Sequence, residues 1–372
     1  MWTAADGSEG EMAGDAATGT SDTLRFVLSR PSGTVEGYGV RARFTDRGAA
    51  ADAVRSGAGV VGALAFDPDG PCDLTSPQRR VVTGTPWARD VGPAAPVEVT
   101  ESDPARHAER VRRALKLIAA GELEKVVLAR HVTVTSAAAI DPVAVLSRLT
   151  AADPGGNGYL VRLGDPDEPS PAVLVGSSPE VLVRRTGTTV SCHPLAGSAP
   201  RTPGDDTAGR ALLASGKDRH EHALVVEALR RGLTPLCSEL DVPAEPTLVA
   251  TGQMWHLGTP IVGRIADPAT TALDLAIAVH PTPAVCGSPY ERAFDLIRRE
   301  EPDRGLYTGA VGWCDEHGDG EWMVAIRCAL VDGSRTSATA YAGGGIVDGS
   351  DPDAEVDETR AKLRTVLGAL GG

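Results

Sequence analysis

The stretch AYAGGGIVDGSDPDAEVDETRAK, residues 340–362, is the segment around which the predicted fold is organised. It begins as a strand end, and we expect a glycine turn at Gly343–Gly345, because glycine lacks a Cβ and lets backbone N–H groups approach a ligand. The polar residues that follow predict the start of a helix. Ser350 or Asp351 can cap this helix, and Pro352 suits its first turn.

Three charged residues of the predicted helix share one face. Glu355, Glu358 and Lys362 are spaced at i, i+3 and i+7, so their side chains lie on the same side. Two carboxylates and an ammonium just beyond a glycine turn can hold a hard cation together with an anionic ligand. An ordinary surface helix with i,i+4 ion pairs explains the same residues equally well. The rest of the chain has to distinguish the two interpretations.

Length and composition indicate a globular chain with a large core. The 372 residues exceed the usual size of one domain, and 42% of them are hydrophobic and 23% charged. No apolar run approaches the roughly 18–20 residues of a membrane helix, and no secretory signal is visible at the N-terminus. The six cysteines are scattered without a C-x-x-C pair, so neither a zinc site nor a disulfide framework is predicted. We therefore expect a cytoplasmic protein.

The formal net charge of −14 limits the classes of partner. Nucleic acids and anionic membrane surfaces require a basic footprint, so we expect neither as a partner. An anionic substrate would have to be attracted by a local cluster of cations or by a metal ion, against the field of the whole protein.

The order of the predicted elements indicates an α+β fold. Residues 1–22 are small, polar and acidic and predict a disordered lead, whereas no linker divides residues 23–372, which we expect to form a single large domain. The predicted elements that matter below are a hairpin of 24–28 with 40–44, strands 125–132, 306–313 and 321–331, and helices 104–120, 208–233, 271–279 and 290–299.

Two charged side chains are predicted inside or beside apolar strands. Lys125 belongs to an apolar strand, where it either reaches water from a sheet edge or acts as a buried amine with its pKa lowered to about 7–8, as a general base requires. Glu180 enters the strand Val181-Leu182-Val183. It is either a strand-end glutamate in solvent or a carboxyl group whose raised pKa suits a general acid.

Further polar residues are placed where ordinary packing does not require them. Glu221 faces the same way as the apolar ridge of its helix, so it is a partner for a cation, although an acidic residue there also favours the helix dipole. His220 and His222 are a weak signal for zinc. Arg327 lies in an apolar strand and suits carboxylate recognition, Tyr307 can donate a hydrogen bond beside it, and His256 is either a core histidine or a ligand.

Seven separated motifs together resemble one family. They are, in chain order, SSPEVLV, HPLAGSAPR, KDRHEHALVVEAL, HPTPAVCG, RGLYTGAVGW, AIRCAL and AGGGIVDGSDPDAEVDETRAKL. In this order they resemble the chorismate-utilising enzymes, which include the anthranilate, aminodeoxychorismate, isochorismate and salicylate synthases. The resemblance covers about residues 105–370, and residues 1–100 add little to it. It implies a single α+β domain in which a curved antiparallel β-sheet sandwich is flanked by helices.

The resemblance also implies a ligand set for magnesium and for chorismate. Mg²⁺ is expected on Glu221 and Glu358, with Glu355 close by. Groups that contact the substrate or line the site are expected at Gly197, Ser198, His256, Ala284, Tyr307, Arg327, Gly345 and Lys362.

Three positions separate the branches of the family. Enzymes that add ammonia have glutamine where this chain has Lys125, the aminodeoxychorismate branch has a nucleophilic lysine in place of Ala196, and salicylate synthases have threonine in place of Ala284. The chain therefore resembles the isochorismate synthases of siderophore and menaquinone pathways. In that branch Lys125 would act as the base that activates water, and Glu180 as the acid.

Three alternatives remain open at the level of sequence. They are a salicylate synthase, an aminating synthase, and a non-catalytic chorismate-binding protein. No glutaminase motif is present, so a glutaminase subunit is not expected, and we expect a monomer or weak homodimer.

Overall fold

A computed structural model describes residues 23–202, 204–250 and 254–372 of the chain. The predicted disordered lead lies outside the described residues. The helices are α1 Arg47–Arg55, α2 Pro104–Ala119, α3 Pro142–Ala152, α4 Thr207–Ala214, α5 Gly216–Leu233, α6 Ala272–Val279, α7 Tyr290–Glu300 and α8 Pro352–Leu370. The strands are β1 Leu24–Arg30, β2 Gly33–Tyr38, β3 Ala42–Phe44, β4 Val60–Leu64, β5 Asp73–Ser76, β6 Arg79–Thr83, β7 Glu98–Glu101, β8 Lys125–Thr135, β9 Gly158–Arg162, β10 Val173–Gly176, β11 Val181–Thr186, β12 Thr189–Cys192, β13 Leu195–Pro200, β14 Cys237–Asp241, β15 Thr247–Ala250, β16 Met254–Gly258, β17 Ile261–Ile265, β18 Gly287–Ser288, β19 Ala310–Cys314, β20 Gly320–Val324, β21 Cys328–Val331 and β22 Ser337–Ile346.

These strands form two large antiparallel sheets and a small one. The ten-stranded sheet has the order β18-β8-β22-β21-β10-β9-β1-β2-β6, with β7 also paired to β8. The nine-stranded sheet has the order β14-β17-β12-β11-β20-β19-β4-β5-β3, and β13, β16 and β15 form the third sheet. Side chains of both large sheets, such as Leu28 and Val311, pack in one core cluster, so the two sheets form a sandwich.

Helices cover the outer faces of this sandwich. On the ten-stranded sheet, α3 and α8 bury Leu146, Leu149 and Leu363 against strand residues such as Val132. On the nine-stranded sheet, α5 and α6 contribute Val225, Leu229 and Leu275 to a second cluster. The predicted fold class, a single α+β domain with an antiparallel sandwich flanked by helices, is confirmed. No helix within the described ranges is long and apolar enough to cross a membrane.

The glycines of the central segment belong to a strand, and the predicted glycine turn is wrong. β22 pairs with β8 from Ser337 opposite Thr135 to Ile346 opposite Val126, and Gly343–Gly345 continue this ladder without a break. Three glycines are compatible with extended backbone, and their lack of side chains leaves room above and below the strand. Asp351 caps α8 and Pro352 follows it in the first turn, as the sequence predicts.

Two predicted long strands are interrupted. The segment 321–331 divides into β20, in the nine-stranded sheet, and β21, in the ten-stranded sheet. The chain crosses between the sheets at residues 325–327, where Arg327 has φ 52°. Both halves are apolar, so the sequence pattern gives no sign of the crossing. In the segment 306–313, residues 305–308 form a turn and the strand begins only at Ala310.

Two further element predictions need correction. The predicted helix 208–233 is two helices, because Ser215 ends α4 and its side chain accepts a hydrogen bond from Asp218 N as the cap of α5. The predicted hairpin has the wrong second strand. β1 pairs with β2, whereas Ala42–Phe44 pairs with β5 in the other large sheet.

Candidate active site

Lys125 and Glu221 form a buried ion pair beside Gly345. Lys125 is the first residue of β8 and is 1% exposed, so the interpretation as an edge-strand lysine in water is wrong. Its Nζ lies 2.6 Å from Glu221 Oε1, which reaches the strand from α5. A Cβ at Gly345 would lie 2.8 Å from that oxygen and 3.1 Å from Lys125 Cε. The absence of a side chain at Gly345 therefore makes room for the pair.

Glu180 is a buried carboxyl group among cations. It precedes β11, is 8% exposed, and accepts a hydrogen bond from Val324 N through its backbone oxygen. Burial raises the pKa of Glu180 to about 7, while Lys125, Arg327 and Lys362 act in the opposite direction. The alternative of a solvent-exposed glutamate is wrong. Near neutral pH, this carboxyl group can hold and release a proton.

The charged face of α8 lies against the same strand at Gly343 and Gly344. Lys362 Nζ donates a hydrogen bond of 2.9 Å to Gly343 O and lies 2.7 Å from Glu358 Oε1. Burial and the neighbouring Glu358 raise the pKa of Glu355 to about 7, and Ser350 opposes this shift by hydrogen bonding. A Cβ at Gly344 would lie 2.6 Å from Glu355 Oε2. On this face only Glu355 is buried, whereas Glu358 and Lys362 are partly exposed and form the i,i+4 ion pair that the simpler interpretation predicts.

The carboxylates predicted to hold magnesium lie beside adjacent glycines. Glu221 is next to Gly345, and Glu355 and Glu358 are next to Gly344. In the part of the chain that the structure describes, no three His, Cys, Asp or Glu side chains are arranged to hold a metal ion. The donor chemistry nevertheless fits a hard cation, because all donors are carboxylate oxygens and Glu355 Oε2 is buried without a hydrogen-bond partner.

The histidines at the start of α5 do not form a zinc site in the described structure. His222 is buried and its Nε2 lies 2.7 Å from Thr259 Oγ1, while His220 is exposed. Burial lowers the pKa of His222 to about 4. His222 is therefore a neutral, hydrogen-bonded core residue.

Arg327 lies near Glu180, and its guanidinium group is available to a ligand. Among the described residues, it forms no side-chain hydrogen bond or ion pair. Burial lowers the pKa of Arg327, and the carboxylates of Asp153 and Glu180 oppose this shift. A guanidinium group without a partner at this place can receive a carboxylate from a ligand.

His256 and the strand β13 form the next part of the site. His256 Nδ1 lies 2.8 Å from Ser198 Oγ, and burial lowers the pKa of His256 to about 4, with Arg327 and Lys362 adding to the effect. β13 bulges between Ala196 and Ser198, and Gly197 has φ 73°, a conformation that favours glycine. The bulge brings Ser198 opposite His256.

Tyr307 and Ala284 complete the set of predicted residues. Tyr307 is buried and stacks on Tyr341 with ring centroids 5.0 Å apart. Its hydroxyl would lie 3.1 Å from a Cβ at Gly343. Ala284 is partly buried in the loop before β18, whose Ser288 pairs with Lys125.

The structure thus brings the predicted residues together around the ends of β8 and β22. Sequence reasoning missed the pairing of Lys125 with Glu221 and the hydrogen bond of Ser350 to Glu355. A signal for the pair was present, because each residue is a charged group on an apolar face, where an opposite charge is the partner it requires.

Comparison with known proteins identifies the family. The family model described as chorismate binding enzyme matches residues 85–371. The chain is 49% identical over 356 residues to a Mycobacterium tuberculosis protein provisionally named isochorismate synthase MenF, covering 93% of this chain and 96% of that protein. It is 46% identical over 274 residues to isochorismate synthase DhbC of Bacillus subtilis, covering 72% and 68% of the two chains.

A solved structure gives the same result. It is a Bacillus anthracis protein, DhbC, provisionally named a 2,3-dihydroxybenzoate-specific isochorismate synthase. The TM-score is 0.85 at 37% identity, over 94% of this chain and 96% of the other. The family that the seven motifs indicated is confirmed. The chain belongs to the chorismate-binding enzyme family.

Proposed function

We propose that the protein is a magnesium-dependent isochorismate synthase, which converts chorismate to isochorismate by adding water at C2 and removing the C4 hydroxyl. The observation that carries the proposal is the convergence of Lys125, a buried amine, and Glu180, a buried carboxyl group with its pKa raised to about 7, on one site. The names of the relatives support chorismate as the substrate.

Lys125 is the proposed base. The ammonium of the ion pair with Glu221 first loses a proton to solvent, and the neutral Nζ then takes a proton from water while the water oxygen bonds to C2 of the substrate. Glu221 holds the amine in place through the 2.6 Å contact and stabilises the ammonium that forms. General base catalysis of this kind contributes about 10²–10⁴-fold to a rate.

Glu180 is the proposed acid. Its carboxyl group gives a proton to the C4 hydroxyl, which departs as water while the ring double bonds shift. The raised pKa of about 7 keeps a proton on part of the Glu180 population at neutral pH. One water is added and one is released, and the proton gained by Lys125 and lost by Glu180 is returned through solvent.

The cations of the site are proposed to bind the carboxylates of chorismate. Arg327 and Lys362 both act electrostatically on Glu180, so both lie near the reacting centre. Tyr307 and the backbone at Gly345 provide further polar contacts. Such a local cluster is needed because the net charge of −14 repels an anionic substrate from the protein as a whole.

Magnesium would be held by Glu221 and Glu358, with Glu355 as a third carboxylate nearby. When bound, the ion would neutralise a substrate carboxylate and orient the ring. The Oε2 atom of Glu355 is buried without a hydrogen-bond partner, which supports the binding of a cation there.

Product identification tests the proposal against its alternatives. Purified protein is incubated with chorismate and Mg²⁺, and the products are analysed by mass, absorbance and salicylate fluorescence. Isochorismate is the expected product. Salicylate would indicate a salicylate synthase, amination on addition of ammonia would indicate an aminating synthase, and unchanged chorismate would indicate a binding protein; each of these results contradicts the proposal.

The cellular setting is also a proposal. We propose a cytoplasmic enzyme, which is supported by six free cysteines, five of them buried. Its product would feed siderophore or menaquinone biosynthesis, and the protein would act as a monomer or weak homodimer without a glutaminase subunit.

A further inference from the structure

Arg304, a buried arginine that follows α7, has all five of its N–H groups in hydrogen bonds. Its side chain and that of Glu301 form an ion pair in which each is 2% exposed. Two of the N–H groups donate to the carboxylate oxygens of Glu301, at 2.8 and 3.0 Å. The other three donate to acceptors in three further segments, which are Val127 O at 2.7 Å, Val285 O at 2.8 Å and Thr308 Oγ1 at 3.3 Å.

This ion pair lies where one edge of β8 has no neighbouring strand. On that edge, β18 pairs with residues 125–126 and β7 with residues 132–135, and in the described part of the chain no strand pairs with the residues between them. The guanidinium donates to Val127 O, and the carboxylate accepts from Ala129 N at 2.7 Å. The ion pair therefore bonds the backbone of β8 in place of a strand.

The same guanidinium joins β8 to the loop that precedes β18. Val127 N donates to Cys286 O at 2.8 Å, and the preceding carbonyl of that loop, Val285 O, accepts from Arg304. The loop leads directly into β18, which pairs with Lys125. Arg304 therefore links the loop to β8 two residues away from the proposed base.

The orientation of the guanidinium is restrained from a further side by an aromatic ring. Arg304 Cζ lies 4.5 Å from the centre of the Phe66 ring. A buried ion pair is costly to desolvate, so it adds little to stability compared with apolar side chains of the same size. A fully bonded buried network does, however, restrict the positions of the groups that it joins. Position, more than stability, is what this arrangement supplies.

We propose that Arg304 is a positioning residue, whose guanidinium holds β8 against the loop before β18 so that the Lys125 amine lies at the reacting centre. This inference rests on the proposed function, because it requires Lys125 to act as the base. The amine must face the substrate while its Nζ keeps the 2.6 Å contact with Glu221. Since a displacement of about 1 Å can lower a rate by about 10²-fold, a small shift of β8 is measurable as a loss of kcat.

The test is a double-mutant cycle between Arg304 and Lys125, read as kcat and KM for isochorismate formation. Arg304→Lys keeps the positive charge beside Glu301, but an ammonium has three donors and cannot bridge both backbone carbonyls as the planar guanidinium does. Lys125→Ala, alone and combined with Arg304→Lys, completes the cycle. Arg43→Lys is the matched control, because it makes the same change in an ion pair of the nine-stranded sheet, where Arg43 lies 2.9 Å from Asp73.

We expect Arg304→Lys to lower kcat about tenfold and to change KM less than about twofold, because the amine moves while the groups proposed to bind the substrate stay in place. Arg43→Lys should change neither quantity by more than about twofold. In the Lys125→Ala background, Arg304→Lys should lower kcat less than about twofold. An unchanged kcat in Arg304→Lys would overturn the inference. So would an equal loss in both backgrounds, since Arg304 would then act through the fold and not through Lys125.

Unfolding midpoints verify that each variant is folded. If Arg304→Lys does not fold, Glu301→Gln takes its place in the cycle, because its amide oxygen can still accept from Ala129 N while Arg304 loses its partner charge. The expected effects are the same, and equal losses in both backgrounds again contradict the inference.

The wild type separates this inference from the proposed function. If the wild type forms no isochorismate, the proposed function fails before any variant is compared, and the inference fails with it. If the wild type forms isochorismate and the cycle shows no coupling, the inference alone fails.

Discussion

The two sides of β22 at Gly344 and Gly345 both carry carboxyl groups and an ammonium, but the charges are paired differently on each side. Beside Gly345, the carboxylate of Glu221 lies 2.6 Å from the ammonium of Lys125. Beside Gly344, the carboxyl group of Glu355 is buried next to Glu358, and its Oε2 has no hydrogen-bond partner within the described structure. The first side pairs its carboxylate with an ammonium, whereas on the second side Lys362 pairs with Glu358 and Glu355 is left without a direct cationic partner.

This difference suggests a division of tasks in the proposed reaction. The Glu221 carboxylate stabilises the ammonium that Lys125 becomes when it accepts a proton, so the Lys125 side is suited to proton transfer. A buried carboxyl group without a direct cationic partner lowers its free energy by binding a cation, so the Glu355 side is suited to an ion, with Glu221 as the proposed ligand that the two tasks share. The following experiments separate the two sides.

Replacing Lys125 should have the largest effect on kcat. We expect Lys125→Ala to lower kcat for isochorismate formation by about 10²–10⁴-fold, because water loses its base. Chorismate consumption followed by absorbance measures this effect. Lys116→Ala is the control, since Lys116 is exposed on α2, and it should have the activity of the wild type. A Lys125→Ala enzyme with normal turnover would exclude the base assignment.

The pH dependence of kcat tests Glu180. The protonated fraction of Glu180, whose pKa is about 7, decreases as pH rises, whereas the neutral fraction of Lys125 increases, so the profile of kcat should rise and then fall. We expect kcat to fall about tenfold per pH unit on the alkaline side. Circular dichroism at each pH controls for unfolding. A kcat that stays constant to high pH would show that Glu180 does not supply the proton.

Adding one methyl group on each side of the strand compares the two sides directly. At Gly345 a Cβ would meet Glu221 Oε1 at 2.8 Å, so Gly345→Ala should displace the ion pair and lower kcat at saturating Mg²⁺ by about tenfold, and it should also raise the Mg²⁺ requirement because Glu221 is a proposed ligand. At Gly344 a Cβ would meet Glu355 Oε2 at 2.6 Å, so Gly344→Ala should raise the Mg²⁺ concentration for half-maximal activity, also by about tenfold.

The two alanine variants serve as controls for each other. Titrations of activity with Mg²⁺ give both kcat and the half-maximal concentration for each variant. If Gly345→Ala left kcat at saturating Mg²⁺ unchanged, or if Gly344→Ala lowered it, the two sides would not have separate tasks.

Parts of the fold and site followed from local sequence patterns. α8 is predictable because Asp351 and Pro352 mark its start and because Glu355, Glu358 and Lys362 repeat at helical spacing. The family fold followed from the motifs and is confirmed. The residues that the motifs implied as ligands lie together, while their roles remain predictions.

Other features depend on tertiary structure that local patterns do not contain. The crossing at Arg327 joins two apolar strands of different sheets, and an apolar run has the same appearance whether it continues or crosses. The glycines were predicted as a turn that brings backbone N–H groups close to a ligand, but here β8 provides a strand partner for every one of them. The pairing of Lys125 with Glu221 required coordinates, because the two residues lie far apart in the sequence.

Isotope labelling of the added oxygen is the most direct measurement of the proposed chemistry. The protein is incubated with chorismate and Mg²⁺ in water enriched in oxygen-18, and the product is analysed by mass spectrometry and NMR. Water addition at C2 with loss of the C4 hydroxyl predicts isochorismate that carries the heavy oxygen at C2, formed about 10²–10⁴-fold more slowly by Lys125→Ala. Isochorismate without the label would show that the substrate hydroxyl migrates without exchange, and Lys125 and Glu180 could not then be the base and the acid of a water addition.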